Sequence, residues 1–315
     1  MKINIIARTN GVGLDRDVDL IHQALAHAGG FDITVSHYRS ISPFRRLFPS
    51  RKQYDVNIFL ERVYPRWFGS AKTNLLIPNQ EHFPRRLLGS LSNIDHILCK
   101  SRHAEEVFKE HGGNTRFVGF TSTDLLDESV QPDYQSFFHL AGRSTQKGTD
   151  TILALWKKNP TWPLLTIVQC EKNAPAEVPG NVRLITDYIP HEEIKHHLNS
   201  HGIHLCTSSS EGWGHYIVEA MSCRALVVTT DGPPMNEIIS PERGVLVPWH
   251  RHEPRHLGTD WHVDPVKLET LINELLLMPD AKKRQFGQKA RDWFEVNDAR
   301  FAEVLPQTIV ELLEK

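Results

Sequence analysis

The chain has 315 residues, of which 40% are hydrophobic and 23% charged, and its formal net charge is −2. This is the composition of a soluble globular protein long enough for two domains that each bury a core, and no run approaches the roughly 20 apolar residues of a membrane-spanning helix. The near-neutral total names no partner, but residues 1–130 hold 17 Lys+Arg against 14 Asp+Glu while the remainder holds 19 against 24, so the N-terminal half is the basic one. Met1 leads straight into a strand-like 3–7, so no signal peptide is expected. Cys99, Cys170, Cys206 and Cys223 are scattered without a CxxC pair, which suits reduced core residues of a cytoplasmic protein.

Residues 2–8 read as a first strand, followed by Asn10-Gly11-Val12-Gly13 and a helix from about Asp15 to Ala28. A strand, glycine-rich turn and helix open many nucleotide-binding α/β folds, although Gly11 and Gly13 also suit a plain tight turn. After a second strand at 32–36, the segment 39–52 carries Arg39, Arg45, Arg46, Arg51 and Lys52 with Phe44, Leu47 and Phe48 between them and no acid. It reads either as a solvated loop with snorkelling arginines or as a surface for an anionic acceptor, lipid-linked or nucleic acid. Strands at 56–60 and 74–77 follow, and the second runs into Pro78-Asn79-Gln80-Glu81-His82-Phe83. Ligands of open α/β sheets sit at the carboxyl ends of strands, so Glu81 and His82 are candidate site residues, the alternative being a polar loop. A strand at 94–100, a helix capped by Ser101 and a strand at 116–120 complete this half. The acidic, aperiodic stretch 121–135 reads as a linker.

The pattern restarts at 137–141, and Gly142-Arg143-Ser144-Thr145-Gln146-Lys147-Gly148-Thr149 leads into a helix ending near Lys158. A guanidinium and an ammonium four residues apart on a turn before a helix suit a diphosphate, whose charge would offset the unfavourable placement of cations at a helix N-terminus. Strands at 164–168 and 182–185 and a surface helix at 191–198 lead to the apolar strand 203–206. Then comes Ser208-Ser209-Ser210-Glu211-Gly212-Trp213-Gly214-His215-Tyr216, opening a helix at 216–223. Such a turn presents backbone N–H groups of Gly212, Trp213, Gly214 and His215 to an anion. Glu219 interrupts the apolar helix face, which costs several kcal/mol unless the carboxylate has hydrogen-bond partners such as two vicinal ribose hydroxyls. A strand at 225–230, the turn Asp231-Gly232-Pro233-Pro234, a short helix containing Glu237 and a strand at 244–247 follow. The stretch 248–264 carries His250, His252, His256 and His262 at spacings that fit no standard metal pair, so a structural or lid loop is expected there. Two amphipathic helices at 264–277 and 280–294 precede a last helix, capped by Asn297 and kinked by Pro306.

These motifs resemble the retaining, group 1 glycosyltransferases of the two-domain GT-B fold. That family carries a Glu, seven residues, Glu signature within E-G-(aromatic)-G…E-A-M, here Glu211-Gly212-Trp213-Gly214…Glu219-Ala220-Met221. It also has G-R followed by K-G, here Gly142-Arg143 and Lys147-Gly148, while Pro78-Asn79-Gln80-Glu81-His82-Phe83 is similar to a P-N-x-E-(aromatic)-F stretch of some members, with His82 where tryptophan is usual. The resemblance implies an α/β architecture of two Rossmann-like lobes facing across a cleft: an acceptor-side lobe at 1–130, a nucleotide-sugar lobe at 131–295, and a C-terminal helix at 296–315 returning to the first lobe.

It further implies transfer of a sugar from a nucleotide diphosphate sugar to an acceptor hydroxyl with retention of configuration, without a cofactor or metal. Arg143 and Lys147 would clamp the diphosphate and Glu211 would hold the sugar hydroxyls. Glu219 would bind the ribose, with Gly142, Gly212, Trp213, Gly214 and His215 around the donor and Gly11, Gly13, Glu81 and His82 toward the sugar or acceptor. A glycan or lipid-linked acceptor at the inner face of a membrane is the first expectation, and a hydroxymethyl-pyrimidine DNA base the second. A non-catalytic nucleotide-sugar-binding protein is the rival outside enzymes.

Overall fold

The computed structural model describes residues 1–8, 13–40 and 52–314. The chain forms two compact units, one of Met1–Ser122, Pro254–Gly258 and Asn297–Lys315, the other of Thr123–Glu253 and Thr259–Val296. Gly11 and the centre of the basic segment, 41–51, lie outside the described residues.

The first unit holds strands β1 (Lys2–Ala7), β2 (Asp32–His37), β3 (Tyr54–Glu61), β4 (Ala71–Pro78), β5 (His96–Cys99) and β6 (Thr115–Phe117). They pair in the order β2-β1-β3-β4-β5-β6, all parallel. Helices α1 (Gly13–Ala28) and α2 (Arg102–Glu110) cross between strands, and the Ser101 hydroxyl accepts from the Ala104 N–H as the α2 cap. A parallel sheet covered on both faces needs continuous apolar strands, and Ile58, Phe59 and Leu60 or Leu75, Leu76 and Ile77 supply them with at most 1% exposure. The exception is a row of asparagines in register, Asn4 opposite Asn57 and Asn57 opposite Asn74. Asn4 Nδ2 donates to Asn57 Oδ1 at 3.3 Å and Asn57 Nδ2 to Asn74 Oδ1 at 2.9 Å. The Ser70 hydroxyl donates to Asn57 Oδ1 at 3.1 Å. These buried amides are tolerated because each hydrogen bonds to the next, and the ladder fixes the register of three strands.

In the second unit β7 (Asp133–Gly142), β8 (Leu165–Gln169), β9 (Val182–Ile185), β10 (His201–Cys206), β11 (Leu226–Thr230) and β12 (Val245–Val247) form a parallel sheet ordered β12-β11-β10-β7-β8-β9. Helices α3 (Thr149–Lys158), α4 (His191–Ser200), α5 (His215–Ser222) and α6 (Met235–Ile238) connect the strands. The order reverses between β7 and β10, where doubly wound sheets open a crevice at the carboxyl ends of their strands. The core joins Phe137, Trp156, Trp162, Leu165 and Ile203 to Leu268 and Ile272 of α7 (Pro265–Leu277), which Asp264 caps. Fully burying each such side chain contributes roughly 1.5–3 kcal/mol.

Two segments differ from the sequence reading. Residues 248–264 form a two-stranded sheet, β13 (Trp249–Arg255) and β14 (Gly258–Val263), rather than a loop. Its first strand is exposed along most of its length, so no apolar alternation marks it in sequence. The C-terminal helices are one helix, α8 (Asp280–Leu313). Asn297 does not cap: it lies inside α8 and its Nδ2 donates to the Phe120 carbonyl at 2.7 Å. Pro306 is accommodated because buried Phe301, Leu305 and Ile309 pin the surrounding turns, with Phe301 4.8 Å from the Phe120 ring.

Among the described residues no helix is long and apolar enough to cross a membrane. All four cysteines are free; Cys99, Cys206 and Cys223 are buried, and burial pushes the Cys99 and Cys223 thiols up to about 12.

His139 and His204 are fully enclosed in the second sheet, and burial lowers their pKa to about 4 and about 3. Both are therefore neutral when folded, whereas the unfolded chain takes up protons below about 6.5. Stability is present above that value and is lost as the pH falls toward the folded pKa, each histidine contributing up to about 1.4 kcal/mol per pH unit. Thermal unfolding should give a flat melting temperature above pH 7 and a decline between pH 6.5 and 5, with a shallower slope in His204→Gln. A melting temperature independent of pH down to 5 would contradict the assignment.

Candidate functional site

Two loops meet at the β7/β10 reversal. The first follows β7, whose last residue Gly142 has φ +55°, and ends at Gly148 with φ +75°; the second joins β10 to α5 and ends at Gly214 with φ +107°. These left-handed values favour glycine, and Gly148 is held by contact as well, since a Cβ there would lie 2.5 Å from the Thr207 carbonyl oxygen. The loops are stitched by the Ser209 N–H to the Gln146 carbonyl at 2.8 Å and by the Thr207 hydroxyl to the Lys147 carbonyl at 3.0 Å.

Below the seam, His139 Nδ1 lies 2.6 Å from the Leu205 carbonyl and Nε2 2.9 Å from Thr149 Oγ1. A carbonyl only accepts, so Nδ1 carries the proton and Nε2 accepts from the hydroxyl of Thr149, the first residue of α3. One neutral ring thereby ties β7 to β10 and to the start of α3.

Across the seam, Lys147 Nζ and Glu211 Oε1 form an ion pair at 2.5 Å, both side chains about five-sixths buried. The Ser208 hydroxyl donates to the same Glu211 oxygen at 2.6 Å and lies 2.5 Å from the Tyr216 hydroxyl. Lys147 Nζ also sits over the Tyr216 ring, 3.5 Å from its centroid. Burial raises the Tyr216 pKa well above its usual value, so the phenol stays neutral and accepts from the Ser208 N–H.

Of the other expected donor residues, Arg143 is exposed at the loop crest, where its carbonyl accepts from Asn173 Nδ2 at 2.9 Å. Gly212 and Trp213 are buried, and His215 opens α5. The first N–H groups of such a helix have no acceptor within it. Glu219 is 1% exposed; burial raises the pKa of the Cys206 and Cys223 thiols near it, and the Glu219 charge adds to that rise. The structure thus brings Lys147 and Glu211 together on the loops that precede α3 and α5, leaves the Arg143 side chain exposed on the first of them, and buries Glu219 within α5.

In the first unit Glu81 and His82 occupy a helical turn, Gln80–His82, after β4. Glu81 is 5% exposed and 3.8 Å from His82 Nε2. Burial lowers the His82 pKa, opposed by Glu61 and aided by Arg255. Gly13 is the first residue of α1.

Sequence reasoning missed several residues here. Glu61 ends β3 with φ +68° and pairs with Arg62. Lys100 is 1% exposed and donates to Asp17 Oδ2 at 2.6 Å and Asn79 Oδ1 at 3.0 Å. In the second unit Ser208, Tyr216 and His139 were overlooked. A lysine directly after an apolar strand, and a glutamate ending one, are signals that could have been read; the partners of Tyr216 and His139 are not visible in sequence.

The histidines of β13 and β14 are used separately. His250 Nδ1 lies 3.1 Å from the Val263 carbonyl and His262 Nε2 2.8 Å from Glu253, while His252 packs on Trp249 and Trp261. Among the described residues no three His, Cys, Asp or Glu come together in a way that could hold a metal ion.

Residues 169–293 match the family model for group 1 glycosyl transferases. Among solved structures, sucrose-phosphate synthase from Thermosynechococcus elongatus is similar with a TM-score of 0.73 at 16% identity, over 99% of each chain. Anabaena HepE in complex with UDP and glucose gives 0.72 at 15%, over 100% of this chain and 99% of that one. A glycosyltransferase from Rickettsia africae gives 0.74 at 13%, again over 100% and 99%. At these identities the likeness is one of fold, and the two parallel six-stranded sheets are those of the GT-B architecture. No curated protein sequence matches the chain.

Two substitutions test the seam. Gly148→Ala should cost more than about 2 kcal/mol, because it forces a side chain into both a left-handed backbone and the Thr207 carbonyl; denaturant titration measures it, and a cost below 1 kcal/mol would mean that the loops part easily. Glu211→Gln keeps a partner for Ser208 but frees Lys147. A nucleoside diphosphate should then bind as well as before or up to about tenfold more tightly by calorimetry. A clear loss of affinity would show that Lys147 is not available to an anion.

Proposed function

We propose that the protein transfers a sugar from a nucleoside diphosphate sugar to an acceptor hydroxyl, with retention of configuration. The observation that carries this reading is the Lys147–Glu211 pair at 2.5 Å, on the two loops that meet at the strand-order reversal, the second of which leads into α5. It is supported by the group 1 glycosyl transferase match over 169–293, which includes Glu211 and Glu219.

Breaking the bond between an anomeric carbon and a diphosphate places negative charge on the leaving phosphate. Groups already oriented toward that charge stabilise it most. Lys147 would move from Glu211 to the phosphate oxygens, Arg143 would fold down from the crest, and the N–H groups at the start of α5 would add their partial charge. Glu211, released, would accept hydrogen bonds from the sugar hydroxyls, and Glu219 would receive the ribose. The two cations and the helix start supply the charge that a divalent ion would otherwise provide, so the reading is of a metal-independent reaction. Glu211 acts as a hydrogen-bond acceptor rather than a covalent nucleophile; the acceptor attacks from the side the phosphate leaves, and the phosphate takes its proton. Uridine diphosphate is the first nucleotide to try, since HepE has been solved with UDP and with UDP-glucose. A membrane-linked glycan is the favoured acceptor class.

Thermal shift tests the reading with uridine, guanosine, adenosine and thymidine diphosphates and their sugars, with and without EDTA. A ligand at about 100 times its Kd stabilises the folded state by about 2.7 kcal/mol. One base should raise the melting temperature regardless of EDTA, and Arg143→Ala should reduce that rise. No shift with any nucleotide would overturn the donor assignment, and a shift abolished by EDTA would overturn metal independence.

A further inference from the structure

Tyr216 is the second residue of α5 and 6% exposed, and its side chain reaches both members of the Lys147–Glu211 pair, one directly and one through Ser208. The face of its ring lies under the ammonium, with Lys147 Nζ 3.5 Å from the centroid. Its hydroxyl lies 2.5 Å from Ser208 Oγ, which in turn lies 2.6 Å from Glu211 Oε1.

The protons of this chain can be placed. A carboxylate facing an ammonium only accepts, so the single proton of the fully buried Ser208 hydroxyl goes to Glu211. Ser208 Oγ is then left to accept, and the Tyr216 O–H donates to it. The Tyr216 oxygen accepts from the Ser208 N–H at 3.1 Å, which ties the phenol to the backbone of the loop. Both hydroxyls therefore donate in the direction of Glu211, and hydrogen bonds aligned in this way polarise one another. Burial holds the phenol neutral, so it serves as a donor and adds no second negative charge beside the carboxylate.

The two parts of the side chain do different work when an anion draws Lys147 away. A carboxylate about five-sixths buried that loses its ammonium needs other donors to keep its place, and the Ser208 hydroxyl, set by Tyr216, is one that stays. An aromatic face attracts a cation without engaging its N–H groups in fixed directions, so Lys147 can turn toward a phosphate while it still rests over the ring.

We propose that Tyr216 is a positioning residue for sugar transfer: its hydroxyl holds Glu211 for the sugar through Ser208, and its ring holds Lys147 for the diphosphate. The inference rests on the reading of the protein as a transferase that uses a nucleoside diphosphate sugar.

Calorimetry with UDP and UDP-glucose separates the two parts, or with the guanosine, adenosine or thymidine counterparts where those raise the melting temperature. Tyr216→Phe keeps the ring and removes the hydroxyl. Its affinity for UDP should stay within about twofold, while its affinity for UDP-glucose relative to UDP falls about threefold or more. Tyr216→Leu removes the ring as well, and the affinity for UDP itself should fall about threefold or more. Ser208→Ala should repeat the Tyr216→Phe result, and the double variant should lose no more than Ser208→Ala alone, because the two hydroxyls act in series. A second measurement needs no ligand. Denaturant titration of Tyr216→Phe, Glu211→Ala and their double variant should give effects on the unfolding equilibrium constant that depart from a simple product by about threefold or more. A simple product in that cycle, an unchanged UDP-glucose to UDP ratio in Tyr216→Phe, or unchanged UDP affinity in Tyr216→Leu would each overturn the proposal while leaving the donor reading in place. A wild-type protein that binds no nucleoside diphosphate would overturn the donor reading and the positioning role with it, and the denaturant cycle would still show whether Tyr216 and Glu211 are linked.

Discussion

The second unit depends on the junction where β7 and β10 lie side by side and the loops that follow them meet. A reversal of strand order leaves a gap that connections cannot cover, and the gap must be closed by local contacts or filled by a ligand. Here it is closed by the Ser209 to Gln146 and Thr207 to Lys147 hydrogen bonds and by the close approach of Gly148 to Thr207. Neutral His139 holds the strands beneath. Because the backbone is fixed at this point, Lys147 and Glu211 arrive opposite each other from loops 64 residues apart.

The charges of the two units are managed differently. Lys100 and Asp17 are almost wholly buried, with Asn79 as a third partner, so neither can leave without stranding the other. Lys147 and Glu211 retain some exposure and have alternatives nearby, the Tyr216 ring for the cation and the Ser208 hydroxyl for the carboxylate. That difference is why the proposed chemistry is built on the second pair and not on the first.

In the first unit the asparagine ladder does for β1, β3 and β4 what the seam does for the second. It sets one register among strands whose apolar side chains would tolerate several. With the register set, the ends of β3 and β4 bring Glu61 and the Gln80–His82 turn to the carboxyl end of the sheet. The left-handed backbone at Glu61 is the kind of strain that concentrates at functional positions.

Most of the strands could be read in sequence because parallel sheets require continuous apolar runs, and both glycine loops could be read because left-handed turns require glycine. The family resemblance assigned Glu211, Lys147 and Arg143 to the donor site, on two separate strand-to-helix turns. Sequence alone did not reveal that Lys147 pairs with Glu211, that Tyr216 and Ser208 support the pair, or that His139 joins three elements, since these contacts link residues far apart in the chain. The exposed strand β13 and the uninterrupted helix α8 also escaped it: one has no apolar periodicity, and the other overrides a proline and an asparagine through packing of Phe301, Leu305 and Ile309. Local backbone preference and hydrophobic pattern are properties of short segments, so sequence determines them. Which charged and polar side chains meet depends on strand order and register, and only the tertiary structure decides that.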